Sequence, residues 1–199
     1  MKQFILFSSL FFLCSLSSKA TDEYANGYII TKNNDTVLCK IIIPKDFGHF
    51  NEPSLFLRVT VLDSAGNKVK YTPGNINGYA FFYQSKKYVY VSKEVDDDGK
   101  MMFVWPRNLG KKINEYYWYS YNSTDLAKGS TGSLAEVYVL EDPETKGTTS
   151  ITRGGAWTNN FKDQLRKFFE NDKPLLTLVN KDVKDFHDIP AFVQDANNQ

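Results

Sequence analysis

The feature that most constrains the fold is a series of short apolar segments over residues 24–141, each followed by turn-forming residues. β-Branched and aromatic residues dominate the segments, and Asn, Asp, Gly and Pro between them favour tight turns. The clearest hairpins pair Gly27–Thr31 with Thr36–Ile43, and Leu55–Leu62 with Lys68–Thr72. Because no helical period separates the segments, the pattern predicts about eight or nine strands in an antiparallel meander, sandwich or open barrel.

The pattern changes to a helical period after Ala156. Phe161, Leu165, Phe168 and Phe169 recur at helical spacing and share one stripe. Two further short helices are predicted by residues that favour helix starts, Asp172 with Pro174 and Asp188 with Pro190. The predicted class is therefore α+β, with a β body over 24–155 and a helical cover over 156–197. The Gly-, Ser- and Thr-rich segments Asp125–Ser133 and Asp142–Gly155 are predicted to be surface loops.

Residues 1–20 have the pattern of an export signal. Lys2 supplies a positive charge, Phe4–Leu13 is a short apolar run, and Ser18-Lys19-Ala20 places small residues where a signal peptidase cleaves. This predicts a single β-rich domain over 21–199, exported to the periplasm, the outer envelope or the medium, with no transmembrane segment after cleavage. Cys14 does not suggest a lipoprotein, because the preceding residue, Leu13, is not small.

Removal of the signal has consequences for charge and for cysteine chemistry. It takes Lys2 and Lys19 from the 24 basic residues, which leaves 22 against 23 acidic ones. A net charge near zero gives no long-range attraction for nucleic acid, so nucleic acid is not expected as a partner. Cys39 is then the only cysteine, which excludes an internal disulfide and favours a buried apolar role for its side chain.

Motifs for metal binding and catalysis are weak. Glu94, Asp96 and Asp98, followed by glycine, resemble the start of a calcium loop, but Trp105 stands where the closing carboxylate is needed. These three acidic residues are weak metal candidates, and a solvated turn is the alternative. A Cys39–His49 pair lacks a third, orienting group. The sequence therefore indicates no cofactor and does not favour an enzyme.

The most aromatic segment is Tyr116–Tyr121. As a strand it places Tyr117, Tyr119 and Tyr121 on one face and Trp118 on the other. An exposed row of this kind binds sugar rings or a protein partner, because Tyr and Trp combine an apolar body with a polar tip. The alternative is packing in the core or across strands, which aromatic residues in sheets also favour.

Two triplets lie at or beside predicted turns, Asp35-Thr36-Val37 and Asp63-Ser64-Ala65. They resemble the O-glycosylation signal of exported Bacteroidetes proteins, and that resemblance makes Thr36 and Ser64 candidate modification sites. Turn formation explains the same Asp and Ser residues equally well.

The order of segments is similar to that of a group of small, uncharacterised exported Bacteroidetes proteins. The resemblance rests on a GYI…DT hairpin at 27–36, a YTP..I.GY turn at 71–79 and an F…L..FF….PL helix at 161–175. Here Asn34 replaces a frequent Gly, and Tyr79 a frequent Phe. The resemblance implies an exported β-rich protein and supplies no catalytic residue.

These observations lead to three functional hypotheses. The first is a non-enzymatic cell-envelope protein that binds an unknown protein or glycan. The second is a carbohydrate-binding protein that uses the aromatic strand Tyr116–Tyr121. The third is a hydrolase without a recognisable motif. A large exposed apolar patch is expected under the first hypothesis.

Overall fold

The computed structural model describes residues 22–95, 99–121, 134–153 and 160–199. Ten of its strands form one antiparallel sheet in the order β12-β11-β10-β9-β8-β7-β1-β2-β5-β6. These strands are β1 (Tyr24–Thr31), β2 (Thr36–Ile42), β5 (Val59–Leu62), β6 (Lys68–Tyr71), β7 (Ile76–Tyr83), β8 (Lys86–Glu94), β9 (Met101–Leu109), β10 (Asn114–Tyr121), β11 (Leu134–Glu141) and β12 (Thr148–Thr152). A separate small hairpin joins β3 (Lys45–Asp46) to β4 (His49–Phe50).

The strand order follows from two runs of hairpins that meet at β7. Strands β7 to β12 pair each with the next along the chain, as a meander. The hairpin β1–β2 attaches through β1 to β7, with Ile29 opposite Tyr79. β5 and β6 then extend the sheet beyond β2. The predicted antiparallel β body is confirmed, and it is an unclosed sheet with more strands than the eight or nine predicted.

The two faces of the first half of the sheet differ in burial, as strand alternation requires. One face, here the inner face, buries residues such as Ile29, Ile41, Tyr79 and Tyr90. A short 3-10 helix, Glu52–Phe56, covers this face and inserts Leu55 and Phe56 among the aromatic rings. The opposite face of β6, β5, β2, β1, β7 and β8 is here called the open face.

The second half of the sheet curls. The Lys93 ammonium on β8 contacts the Glu141 carboxylate on β11, although β9 and β10 lie between these strands. The Ser150 hydroxyl on β12 donates to the Val95 carbonyl, just after β8. Neighbouring strands lie about 4.8 Å apart, so a flat sheet would place β8 and β12 roughly 19 Å apart. The curl encloses a second set of buried residues, namely Met102, Val104, Tyr116, Trp118, Val137 and Val139.

Three helices cover the inner face of β10–β12: α1 (Asn160–Phe168), α2 (Lys173–Asp182) and α3 (Ile189–Asn197). Their apolar residues, including Phe161, Leu165 and Val193, pack on sheet residues such as Tyr138 and Leu140. The predicted helical stripe and the C-terminal helical cover are confirmed.

Of the two predicted helix-start residues, Asp172 caps its helix as predicted, and Asp188 has a different role. Asp172 caps α2, because its carboxylate accepts from the Leu175 backbone N–H at 3.0 Å. Asp188 precedes α3 but makes no side-chain cap there. It completes a capping box with Asp185 for the short 3-10 helix Phe186–Asp188.

Two predicted boundaries are wrong. The predicted strand Leu55–Leu62 starts too early, because Leu55 and Phe56 end a 3-10 helix that the Asn51 side chain caps and whose first turn Pro53 favours. The strand begins only at Val59. The predicted loop Asp142–Gly155 contains β12, a mostly polar edge strand that pairs with β11 and buries Ile151.

Candidate functional site

The aromatic strand is packed on both sides. Tyr116, Tyr117 and Trp118 are 4%, 8% and 6% exposed. Tyr119 is half-buried, and its ring lies 5.1 Å from that of Tyr117 and 5.8 Å from that of Phe56. The side chain of Tyr121 lies outside the described part of the chain. This burial favours the packing alternative over an exposed row of rings.

A polar network lies inside the curled half of the sheet, at the buried carboxylate of Glu141. It accepts from the Lys93 ammonium at 2.5 Å, the Tyr116 hydroxyl at 2.7 Å and the Asn114 amide at 2.8 Å. Burial alone would raise the pKa of Glu141, but these donors outweigh it and lower the pKa. The carboxylate is therefore held ionised, as a structural group with all its donors in place.

A second buried carboxyl group, Glu115, lies on the inner face beneath the helices. The Asn108 amide donates to its Oε2, and its Oε1 has no hydrogen-bond partner among the described residues. Burial raises the pKa of Glu115, and the hydrogen bond from Asn108 and the charge of Arg107 oppose part of that rise. No motif in the sequence points to this residue. The feature of the sequence that could have indicated a buried carboxyl group is the position of this charged residue beside a run of strand-forming aromatic residues.

The candidate metal and thiol residues do not form a site among the described residues. Glu94 is exposed at the end of β8, and Asp96 and Asp98 lie outside the described part. No group of three His, Cys, Asp or Glu side chains suited to a metal occurs in the described ranges. Burial raises the pKa of the Cys39 thiol, which makes it a poorer nucleophile. His49 is exposed on the separate β3–β4 hairpin.

The candidate modification residues Thr36 and Ser64 are both exposed. The Asp63 carboxylate accepts from the backbone N–H groups of Ala65 and Asn67 at 2.9 and 2.8 Å, which explains this triplet as a turn. Val37 and Ser64 line the same cavity, so the two triplets lie at the same end of the sheet. Modification of Thr36 or Ser64 stays a prediction.

The open face carries apolar side chains that the described chain leaves uncovered. Leu38 on β2 lies opposite Tyr28 on β1, which in turn lies opposite Ala80 on β7. Leu38 is 82% exposed, and Phe82, also on β7, is 64% exposed. Half-exposed apolar residues surround them: Tyr28, Ile30, Ile42, Leu62, Val89 and Val91. Exposed and half-exposed apolar side chains therefore lie on the neighbouring strands β2, β1 and β7.

The charged residues of the open face are all lysines. The outward positions of its six described strands include Lys40, Lys68, Lys70 and Lys87, and no Asp or Glu; Lys93 lies on the same side of β8 but points into the curl. Lys68 pairs with Asp22 and Lys93 with Glu141. Lys40, Lys70 and Lys87 make no ion pair with a described residue. The face therefore combines apolar surface with uncompensated positive charge.

Comparison of the chain with protein-family models, curated proteins and solved structures finds no match. Within the described residues, no helix has the length and apolar character needed to cross a membrane.

Proposed function

We propose that this protein is an exported, non-enzymatic binding module of the cell envelope, and that it binds a protein partner through the open face. The observation that carries the proposal is the exposure of Leu38 and Phe82 on one sheet face whose charged residues are all lysines. Burying such apolar side chains against a partner stabilises a complex by roughly 25 cal/mol for each Å² removed from water.

The charge of the face sets the chemistry of the partner. Unpaired Lys40, Lys70 and Lys87 would lose hydration in an interface, and only facing carboxylates would compensate them well. The expected partner surface is therefore an apolar stripe flanked by Asp or Glu residues. Such complementarity also excludes partners of like charge.

Two other partner classes fit the face less well. Sugar rings stack on exposed aromatic planes, and Tyr117 and Trp118 of the aromatic strand, which would supply such planes, are buried. An anionic membrane would attract the lysines. However, most apolar side chains of the face are half-buried, which leaves little apolar surface for insertion at the acyl boundary.

Site-specific photo-cross-linking in the cell that produces the protein tests this proposal. A benzoylphenylalanine at position 38 or 82 is expected to yield a discrete protein adduct, and the adduct from position 38 is expected to disappear with Lys40→Glu. Position 109 is the matched control, because Leu109 is 65% exposed and lies on β9, outside the open face.

An equal adduct from position 109, an adduct with a second copy of the chain, or no protein adduct would refute the proposal. The export part has its own readout, because cleavage after Ala20 leaves Thr21 as the N-terminal residue. Mass spectrometry of the exported protein measures that terminus directly.

A further inference from the structure

We infer that the cleft between the 3-10 helix Glu52–Phe56 and the edge hairpin β5–β6 is a binding site for a tetrahedral oxyanion, a phosphate or sulfate group. The cleft has a volume of about 260 Å³. The cations Lys45, Arg58 and Lys70 line it, and no carboxylate among the described residues does. This site goes beyond the proposed function, because a small anion would bind it without a protein partner.

Strand geometry places the cations together. Arg58 directly precedes β5, two positions before Thr60, and both residues line the cleft. Thr60 lies opposite Lys70 on β6, and opposite residues in an antiparallel pair have Cβ atoms about 5 Å apart. Arg58, Thr60 and Lys70 therefore line one side of the cleft with a guanidinium, a hydroxyl and an ammonium group.

These donors are unused within the described chain. The side chains of Arg58, Thr60 and Lys70 make no hydrogen bond or ion pair with a described residue. Lys45 differs, because its ammonium lies 2.7 Å from the Glu23 carboxylate and is already neutralised. Two uncompensated cations at one cleft repel each other, and an anion between them removes that repulsion.

The backbone that carries Arg58 is held in place. The Leu57 and Arg58 backbone N–H groups donate to the Ser54 carbonyl at 3.2 and 3.3 Å. Ser54 is itself fixed, because its hydroxyl donates to the Asn51 carbonyl at 3.0 Å. The Asn51 backbone N–H donates to the Pro44 carbonyl at 2.9 Å, which ties the wall of the cleft to the end of β2. A site fixed in advance loses less entropy when a ligand binds.

The donor set selects the chemistry of the ligand. The planar fork of Arg matches two oxygens of a phosphate or sulfate, and the Lys ammonium adds a point charge for a third. The cleft is larger than one such group, so the ligand has room for a short attached portion. A free phosphate monoester and a lipid headgroup share this chemistry.

Titration of the full protein with inorganic phosphate and sulfate at constant ionic strength tests the site. Arg58→Gln and Lys70→Gln are each expected to weaken phosphate binding about tenfold, the loss of one charge-assisted contact. Lys87→Gln is the matched control, because Lys87 is an exposed and unpaired lysine on the same face, outside the cleft. Melting curves of each variant verify folding.

Two results would overturn the inference: no binding of inorganic phosphate, or an equal loss with Lys87→Gln, which indicates a diffuse charge effect. Vesicles of phosphatidylcholine with phosphatidylglycerol separate the ligand sources. If binding to inorganic phosphate is established, Arg58-dependent vesicle binding assigns a lipid headgroup, and its absence assigns a soluble anion. The cross-link from position 38 should survive Arg58→Gln, so failure of this site and failure of the proposed protein interface remain distinguishable.

Discussion

The Lys93 ammonium on β8 lies 2.5 Å from the Glu141 carboxylate on β11, although two strands separate them in the sheet. The pair spans the interior of the curl, where Glu141 is 3% exposed. Pairing between neighbouring strands does not by itself bring β8 close to β11. This contact is therefore a tertiary link across the curl.

Glu141→Gln is expected to destabilise the fold by about 2 to 3 kcal/mol, because it leaves the Lys93 ammonium without its buried counter-ion. The value is below that of a fully buried pair, since the Lys93 side chain is 26% exposed. Chemical denaturation at neutral pH measures the change. Glu144→Gln, an exposed change on the following turn, should be nearly neutral; an equal loss there would contradict the role of the pair.

The same pair predicts a loss of stability in acid. The pKa of Glu141 is lowered in the folded state from its ordinary value of 4.5. The stabilisation is therefore present above that value and is lost as the pH falls through the folded-state pKa. The wild-type free energy of unfolding should therefore decrease once the pH drops under 4.5. The fall should be smaller in Glu141→Gln, and identical pH profiles for the two proteins would argue against this linkage.

Glu115 is expected to act in the opposite direction. Burial raises its folded-state pKa above 4.5, so the folded protein binds more protons than the unfolded one and stability decreases as the pH rises above 4.5. Glu115→Gln resembles the protonated acid and should remove this decrease. At pH 8 the variant should melt higher, by about 2–4 °C for each kcal/mol regained.

Thermal melts from pH 4 to 8 measure the effect of Glu115→Gln, again with Glu144→Gln as the control. A variant that melts below wild type at pH 8 would show that the hydrogen bond from Asn108 and the attraction of Arg107 together outweigh the cost of burying the charge.

Hairpins and helices were predictable because their signals are local. The turn at Asp63 uses a side chain that accepts from backbone N–H groups two and four residues later. The start of α2 uses Asp172 in the same way. Such contacts span a few residues, so the sequence around them contains the whole interaction.

The candidate surfaces were not predictable for the opposite reason. Leu38 and Phe82 share a face only because β1 pairs with both β2 and β7, and no local signal specifies that order. Arg58 and Lys70 meet Lys45 because a 3-10 helix replaces the expected start of a strand. The alternation of apolar residues near Leu55 fits a strand, but the cap and the proline around it favour a helical turn.

Close packing of strands predicts a large effect for Gly27→Ala. A Cβ atom at Gly27 would lie 2.3 Å from the Ala80 carbonyl oxygen and 2.9 Å from the Phe81 Cβ. Backbone on the paired strand must move, so we expect a cost of about 3 kcal/mol, at the upper end of overpacking effects. Denaturation of Gly27→Ala measures this cost. Gly74→Ala is the control, because its added Cβ meets only the Thr72 hydroxyl, at 3.9 Å. Equal stability of the two variants would contradict the strand register.

The end of α3 is predicted to hold the β9–β10 turn through one side chain. The Asn197 carbonyl oxygen accepts from the Lys112 and Ile113 backbone N–H groups at 3.1 and 3.0 Å, and its amide donates to the Ile113 carbonyl at 2.9 Å. Asn197→Ala removes all three bonds and should cost about 2 to 3 kcal/mol, since each is worth about 1 kcal/mol.

Hydrogen exchange distinguishes this link from a general loss of stability. In Asn197→Ala the amides of Lys112 and Ile113 should exchange faster, while those of β1 and β7 keep their protection relative to global unfolding. Asn198→Ala changes the neighbouring, exposed residue and should leave both amides unchanged. If the exchange of the Ile113 amide is unaltered in Asn197→Ala, the three hydrogen bonds of Asn197 contribute nothing to the protection of that amide. The turn would then hold its conformation without the helix.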